Sequence, residues 1–168
     1  MRSTRNKKIV DLALLLPIRD RYRQDGQTVV WTNGCFDLLH AGHIRSLQLA
    51  SELGDVLVVG INSDESVRLL KGVGRPILTA NDRAEVLAAL ECVDHVVVFS
   101  ELTPTATLER LRPDVHCKGA DYAPPYGKPI PERALVEAYG GRVAFLPLVP
   151  GISTSELIRR IQEFGKGD

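Results

Sequence analysis

The sequence predicts an α/β protein: a doubly wound sheet of five parallel strands with helices on both faces, built as a single domain. Three observations carry this. Short apolar runs alternate with stretches of helical period along the whole chain, and each parallel strand needs a right-handed crossover before the next. DVLVVGIN (55–62) is apolar almost without interruption, as a strand covered on both faces must be. The length, 168 residues, is enough for one sizeable core.

Residues 1–8 are basic and polar and are expected to fray. Residues 9–25 read as a charged helix, broken or kinked near Pro17 and ended by Gly26. Residues 1–27 thus form an N-terminal helical extension to a domain spanning 28–168. The first strand is 28–32. The helix after it, roughly 42–53, places Ile44, Leu47, Ala50 and Leu53 at three-residue steps and stops at Gly54. After the second strand, Ser63 caps a short helix to Leu70, with Asp64 and Glu65 in its first turn. KGVGRPILTA (71–80) is a glycine- and proline-containing loop, and Asn81 is the expected cap of the helix that follows. DHVVVFS (94–100) is the third strand, 103–111 a helix closed before Pro113, and DVHCKG (114–119) the fourth strand. ADYAPPYGKPIP is a long loop, of the kind that tends to carry function. A helix at 131–139, a strand at 142–146 and a helix at 153–164 complete the chain.

Composition excludes several classes. Lys plus Arg and Asp plus Glu both number 21, so no basic excess points to nucleic acid. No apolar run approaches the ~20 residues of a membrane helix, and the run 12–16 is too short for a signal core. Three cysteines at irregular spacing argue against a disulfide framework, so the expected setting is the reduced cytoplasm.

The chain is organised around VVWTNGCFDLLHAGH (29–43), a strand running into a loop and then a helix. In open α/β sheets ligands bind at that junction, where a free helix N-terminus favours anions. His40 and His43 share one helix face, and Gly42 lets a ligand approach the backbone. Two imidazoles there suit a phosphate, as neutral donors or as partly protonated cations. The alternatives are a metal site of Cys35, Asp37 and the two histidines, or plain capping and core histidines. No second Cys/His cluster follows at a zinc-like spacing. GISTSEL (151–157) offers a second cradle of hydroxyls and free amides, although Ser153 with Glu156 also reads as a capping box. Lys71, Arg75 and Lys118 are surface charges by default. Their placement at strand ends, on the same edge as the histidines, instead describes a polyphosphate site. There is no GxxxxGK[ST] and no GxGxxG.

Taken together, TNGCFDLLHAGH, the Lys71 loop and the closing GISTS resemble the cytidylyltransferase-like nucleotidyltransferases of the HxGH type, over about residues 28–163. INSDES, LKGVGRP, the Arg83 helix and LRPDVHCKGADY are most similar to the adenylyltransferase domain of bacterial ADP-heptose synthases. Glycerol-3-phosphate cytidylyltransferases typically carry an Arg where this chain has Leu148, and they lack the KGxDY stretch in this form. Ala120 stands where the heptose branch usually has Gly, and APPYGKPIPE departs from its pattern.

The resemblance implies a Rossmann-like sheet and transfer of AMP from ATP to a sugar 1-phosphate, D-glycero-D-manno-heptose 1-phosphate, with release of pyrophosphate. It implies His40, His43 and Lys71 as catalytic residues. Thr32, Asn33, Gly34, Cys35 and Phe36 would line the nucleotide pocket, with Lys118, Gly119 and Asp121 as further contacts. Gly151, Ile152, Ser153, Thr154 and Ser155 would hold the triphosphate. Asp37, Asp64, Lys71 and Arg75 would meet the acceptor. Mg²⁺ would be carried by the triphosphate and not by protein ligands. The implied partners are ATP and a sugar phosphate, a second copy in a homodimer, and a separate upstream sugar kinase; no nucleic acid or membrane is implied. Cytidylyl transfer to glycerol 3-phosphate or a similar polyol phosphate is the neighbouring alternative, and a nucleotide-binding regulator without catalysis the more distant one.

Overall fold

The structure, a computed structural model, describes residues 6–164. It contains α1 (Leu12–Gln24), β1 (Val29–Gly34), α2 (Ala41–Ser51), β2 (Val56–Asn62), α3 (Asp64–Lys71) and α4 (Ala80–Ala88). These are followed by β3 (His95–Phe99), α5 (Thr105–Leu111), β4 (Val115–Gly119), α6 (Arg133–Ala138), β5 (Arg142–Leu146) and α7 (Thr154–Phe164). All strand pairings are parallel, in the order β3-β2-β1-β4-β5. From β1 the chain steps outward to β2 and β3, then crosses back to β4 on the other side of β1. That reversal opens a crevice at the carboxyl ends of β1 and β4, the place where such sheets bind ligands.

The two faces of the sheet follow from the two-residue alternation of strand side chains. Val30, Leu57, Val59, Val96 and Cys117 pack against Leu47 and Ala50 of α2 and Ala84 and Leu87 of α4. Val29, Trp31, Val58 and Val97 point the other way, onto Leu15 of α1, Leu108 and Leu111 of α5 and Val136 of α6. The first helix, expected as an extension ahead of the domain, is therefore packed into its second layer, and it runs unbroken through Pro17. No helix among the described residues is long and apolar enough to cross a membrane.

Two local expectations are corrected. The fraying expected of residues 1–8 does not extend to 6–8, where the Lys8 ammonium donates to Leu90 O at 2.9 Å and Ile9 bridges Val96 at the β3 edge. Residues 1–5 lie outside the described residues. The α4 cap is Thr79, not Asn81: the Thr79 hydroxyl accepts from the Asp82 amide at 3.2 Å. Both Thr and Asn are good caps, so the sequence pattern alone did not separate them.

One glycine in β2 has a steric reason. Trp31 is fully buried and lies across Gly60, where an added Cβ would sit 2.2 Å from the indole Cζ2. Gly60→Ala is expected to destabilise the fold by about 1–3 kcal/mol through overpacking. This would appear as a lower urea midpoint at unchanged slope. An unchanged midpoint would mean that the indole repacks without cost.

Candidate active site

The crevice is built from the end of β1 outward. After Gly34 the chain turns through Phe36, whose φ of +48° is uncommon for a bulky side chain. The Phe36 ring lies 5.3 Å from the His43 ring, centroid to centroid, and closes one side of the turn. The chain then enters α2 with His40 as the residue flanking its first turn.

His40 and His43 stack, with centroids 3.8 Å apart and planes 28° from parallel. The His40 amide donates a long hydrogen bond, 3.4 Å, to His43 Nδ1. With Nδ1 accepting, the neutral ring carries its proton on Nε2, so His43 presents a donor. Burial, and then the neighbouring His40, push the His43 pKa down to about 4. Burial lowers His40 as well. Both shifts favour neutral rings over partly protonated cations.

The closing motif lies beside this pair. A Cβ on Gly42 would stand 2.9 Å from His40 Cε1 and 3.3 Å from Ile152 Cγ2. The Thr154 hydroxyl donates to Leu38 O at 3.4 Å, across 116 residues of chain. The capping reading of Ser153 is half realised: its hydroxyl accepts from the Glu156 amide at 3.1 Å. Glu156 does not complete the box, because its carboxylate is engaged with Arg159 and Arg160. The first amides of α7, at Thr154 and Ser155, have no partner within the helix.

The cations divide into free and engaged. Lys71 ends α3, is exposed, and makes no ion pair among the described residues. Burial raises the Cys35 thiol pKa, while the positive charges of Lys71, Arg83 and Arg75 act to lower it. Arg83 touches the turn after β1 directly, through Cys35 O, and Arg75 does so through Asp37. Arg75, expected on the acceptor, gives its Nε to Asp37 Oδ2 at 2.5 Å. Asp37, also expected on the acceptor, is 1% exposed. Its carboxylate accepts from the amides of Ile77 and Leu78 at 2.8 and 3.0 Å. It pins the 72–79 loop and is not open to a ligand. This engagement also removes Asp37 from the suggested metal site, and no group of three or more His, Cys, Asp or Glu among the described residues is disposed to hold a metal ion.

Asp64 is part-exposed and meets Arg83 Nη2 at 2.7 Å. Arg83, not singled out as a site residue from sequence, is fully buried. It donates to Cys35 O at 2.6 Å and Leu78 O at 3.1 Å, joining the turn after β1 to the loop after α3. The signal was present: Arg83 shares the buried stripe of α4 with Ala84, Leu87 and Ala88. Lys118 Nζ pairs with the buried Glu132 at 2.6 Å, on the β4 side of the crevice. Asp121 holds Lys128 at 2.6 Å. Thr32, Asn33 and Gly34 close β1 at the crevice floor, with Asn33 Oδ1 accepting from the Trp31 indole at 3.3 Å. Gly119 ends β4 beside them.

A parallel sheet with a switch-point crevice, stacked imidazoles at one helix start and a second helix start alongside is the Rossmann-like α/β class without a P-loop. The chain belongs to the cytidylyltransferase-like family, whose sequence model matches residues 31–160. It is 54% identical over 139 residues to the bifunctional protein HldE of Syntrophotalea carbinolica, covering 83% of this chain and 28% of that protein. It is 47% identical over 161 residues to HldE of Pelobacter propionicus, covering 96% of this chain and 32% of that protein. The chain therefore spans about a third of the length of these relatives. Among solved structures, a lipopolysaccharide core biosynthesis protein from Thermoplasma volcanium is 27% identical with a TM-score of 0.60, covering 76% of this chain and all of that one. A pantoate-beta-alanine ligase from Francisella tularensis, 15% identical with a TM-score of 0.54 over 95% of this chain and 79% of its own, shares the fold.

Proposed function

We propose that the protein transfers the adenylyl group of ATP to the phosphate of a sugar 1-phosphate, D-glycero-D-manno-heptose 1-phosphate, giving ADP-heptose and pyrophosphate for lipopolysaccharide core or related glycan synthesis. The observation that carries this reading is the meeting of the HAGH turn with the 151–155 helix start, through Ile152 against Gly42 and Thr154 on Leu38. The relatives and the lipopolysaccharide core protein support the choice of acceptor.

In this reaction a phosphate oxygen of the acceptor attacks the α-phosphorus of ATP, and the bond to the β-phosphate oxygen breaks. The attacking oxygen is already anionic near neutral pH, so no strong base is needed. Alignment and charge stabilisation are the enzyme's task. His43 Nε2 donates to the α-phosphate as charge builds, with His40 beside it. The amides of Thr154 and Ser155 and the hydroxyls of Ser153 and Ser155 hold the β- and γ-phosphates, while the Thr154 hydroxyl ties the helix start to Leu38 O. Mg²⁺, carried by the triphosphate, would offset its charge, and no side chain of this protein is assigned to hold it. Asn33, Gly34 and Phe36 line the nucleotide pocket. Lys71 neutralises the acceptor phosphate. Arg75 adds its terminal nitrogens while its Nε holds Asp37. Asp64 faces the sugar hydroxyls with its free oxygen. A sugar kinase acts upstream, the protein works in the cytoplasm as a homodimer, and its three free cysteines fit that reducing setting.

The test is a pyrophosphate-release matrix of ATP, CTP, GTP and UTP against heptose 1-phosphate, other sugar phosphates and glycerol 3-phosphate. Release with ATP and the heptose phosphate is expected. Release only with CTP and glycerol 3-phosphate would replace this reading with the polyol one. Nucleotide binding without turnover on any acceptor would leave a regulator.

A further inference from the structure

The β4 side of the crevice holds a buried charge cluster that the chemistry above does not use. Glu132 lies just ahead of α6 and is 1% exposed. Its Oε1 faces His116 Nε2 at 3.0 Å and Lys118 Nζ at 2.6 Å. An apolar set of the same volume would stabilise such a core as well or better, so the cluster is read for the geometry that it fixes. That geometry can be followed outward. The Lys118 ammonium lies 5.3 Å from the centre of the Tyr122 ring, and the Lys128 ammonium lies 5.4 Å from it. Lys128 in turn holds Asp121. A Cβ on Gly119 would stand 2.5 Å from Asp121 Oδ1 and 3.0 Å from Leu148 Cδ2. The 119–122 turn is thus clasped by the two lysines, and Gly119 at its start lies close beside the part-exposed Leu148, in the segment that runs into the 151–155 helix start.

We propose that Glu132 is a positioning residue for the nucleotide: through Lys118 it fixes the 119–122 turn against Leu148, and so sets where the 151–155 helix start stands over the crevice. This rests on the reading that 151–155 holds the triphosphate. Glu132 touches no substrate. Its effect falls on ATP and not on the acceptor, because the chain of contacts ends at Leu148 and does not reach the Lys71 loop.

The experiment measures ATP binding to the full chain by calorimetry without acceptor, beside KM for the sugar phosphate at saturating ATP, with circular dichroism confirming the fold. Glu132→Gln keeps the shape and weakens the hold on Lys118, while Lys118→Met removes the arm and leaves Glu132 with His116. Each is expected to raise the ATP dissociation constant about tenfold, and the double variant also about tenfold, since both act through one contact. The acceptor KM should stay within twofold. A folded Glu132→Gln protein with wild-type ATP affinity overturns the proposal. So do multiplicative effects in the double variant, or equal losses for both substrates. If Glu132→Gln does not fold, Lys118→Met decides by the same readings. A wild-type chain that binds neither ATP nor CTP sinks the nucleotide reading itself, a result distinct from any of these.

Discussion

His43→Ala is expected to leave a folded protein whose pyrophosphate release is slower by about 100–1,000-fold, the usual cost of losing one donor to developing phosphate charge. The fold should survive, since the ring contributes one long hydrogen bond to the first turn of α2 and half of a stacked pair. KM for ATP should move much less than kcat, because the donor counts most where charge develops. Turnover within tenfold of wild type would remove His43 from the chemistry.

The pH dependence follows from the same ring. Its folded pKa of about 4 lies below the ordinary 6.5, so the folded state holds fewer protons there than the unfolded chain. The stability that this neutral ring contributes is fully present above pH 6.5 and is lost as pH falls toward 4. Turnover between pH 6 and 8 should therefore show no step from His43, whereas thermal stability should decline steadily below pH 6.5. A rate that rises as pH drops through 6.5 would mean that the working form is an imidazolium.

Arg83→Met is expected to lower stability by about 3 kcal/mol, toward the lower end for breaking a buried ion pair because Asp64 is part-exposed. In thermal unfolding that is a fall of about 6–12 °C for a chain of this size. The cause is specific: the carbonyls of Cys35 and Leu78 each lose a buried donor. Turnover of the protein that remains folded should fall as well, since the turn carrying the HAGH motif and the loop beyond Lys71 lose their shared tie. Arg83→Lys should rescue little, because one ammonium does not reach three acceptors in three directions. A midpoint within 2 °C of wild type would show that water or repacking replaces all three contacts.

The architecture was legible because its signals are repetitive. Apolar runs such as 55–62 and helical spacing such as 44, 47, 50 and 53 recur, and one misplaced boundary leaves the alternation intact. The histidine pair and the 151–155 start were legible for a different reason: each combines residue types seldom assembled by packing needs alone. What local sequence does not carry is which charges meet. Asp37 and Arg75 are 38 positions apart and neutralise one another. Lys118 finds Glu132 across a loop rich in proline, where no periodicity marks a carboxylate as buried. Arg83 could have been found, since a guanidinium on an apolar helix stripe needs partners, and the partners lie in the crevice wall.

The single tryptophan has an optical consequence. Trp31 is sealed between strand and helices, over Gly60 and against Phe99, with its indole N–H on Asn33 at the crevice floor. Its emission should be blue-shifted in the native protein and red-shifted when the sheet opens. Because Asn33 joins the fluorophore to the crevice floor, a nucleotide bound there should register as a change in quantum yield, with no label attached.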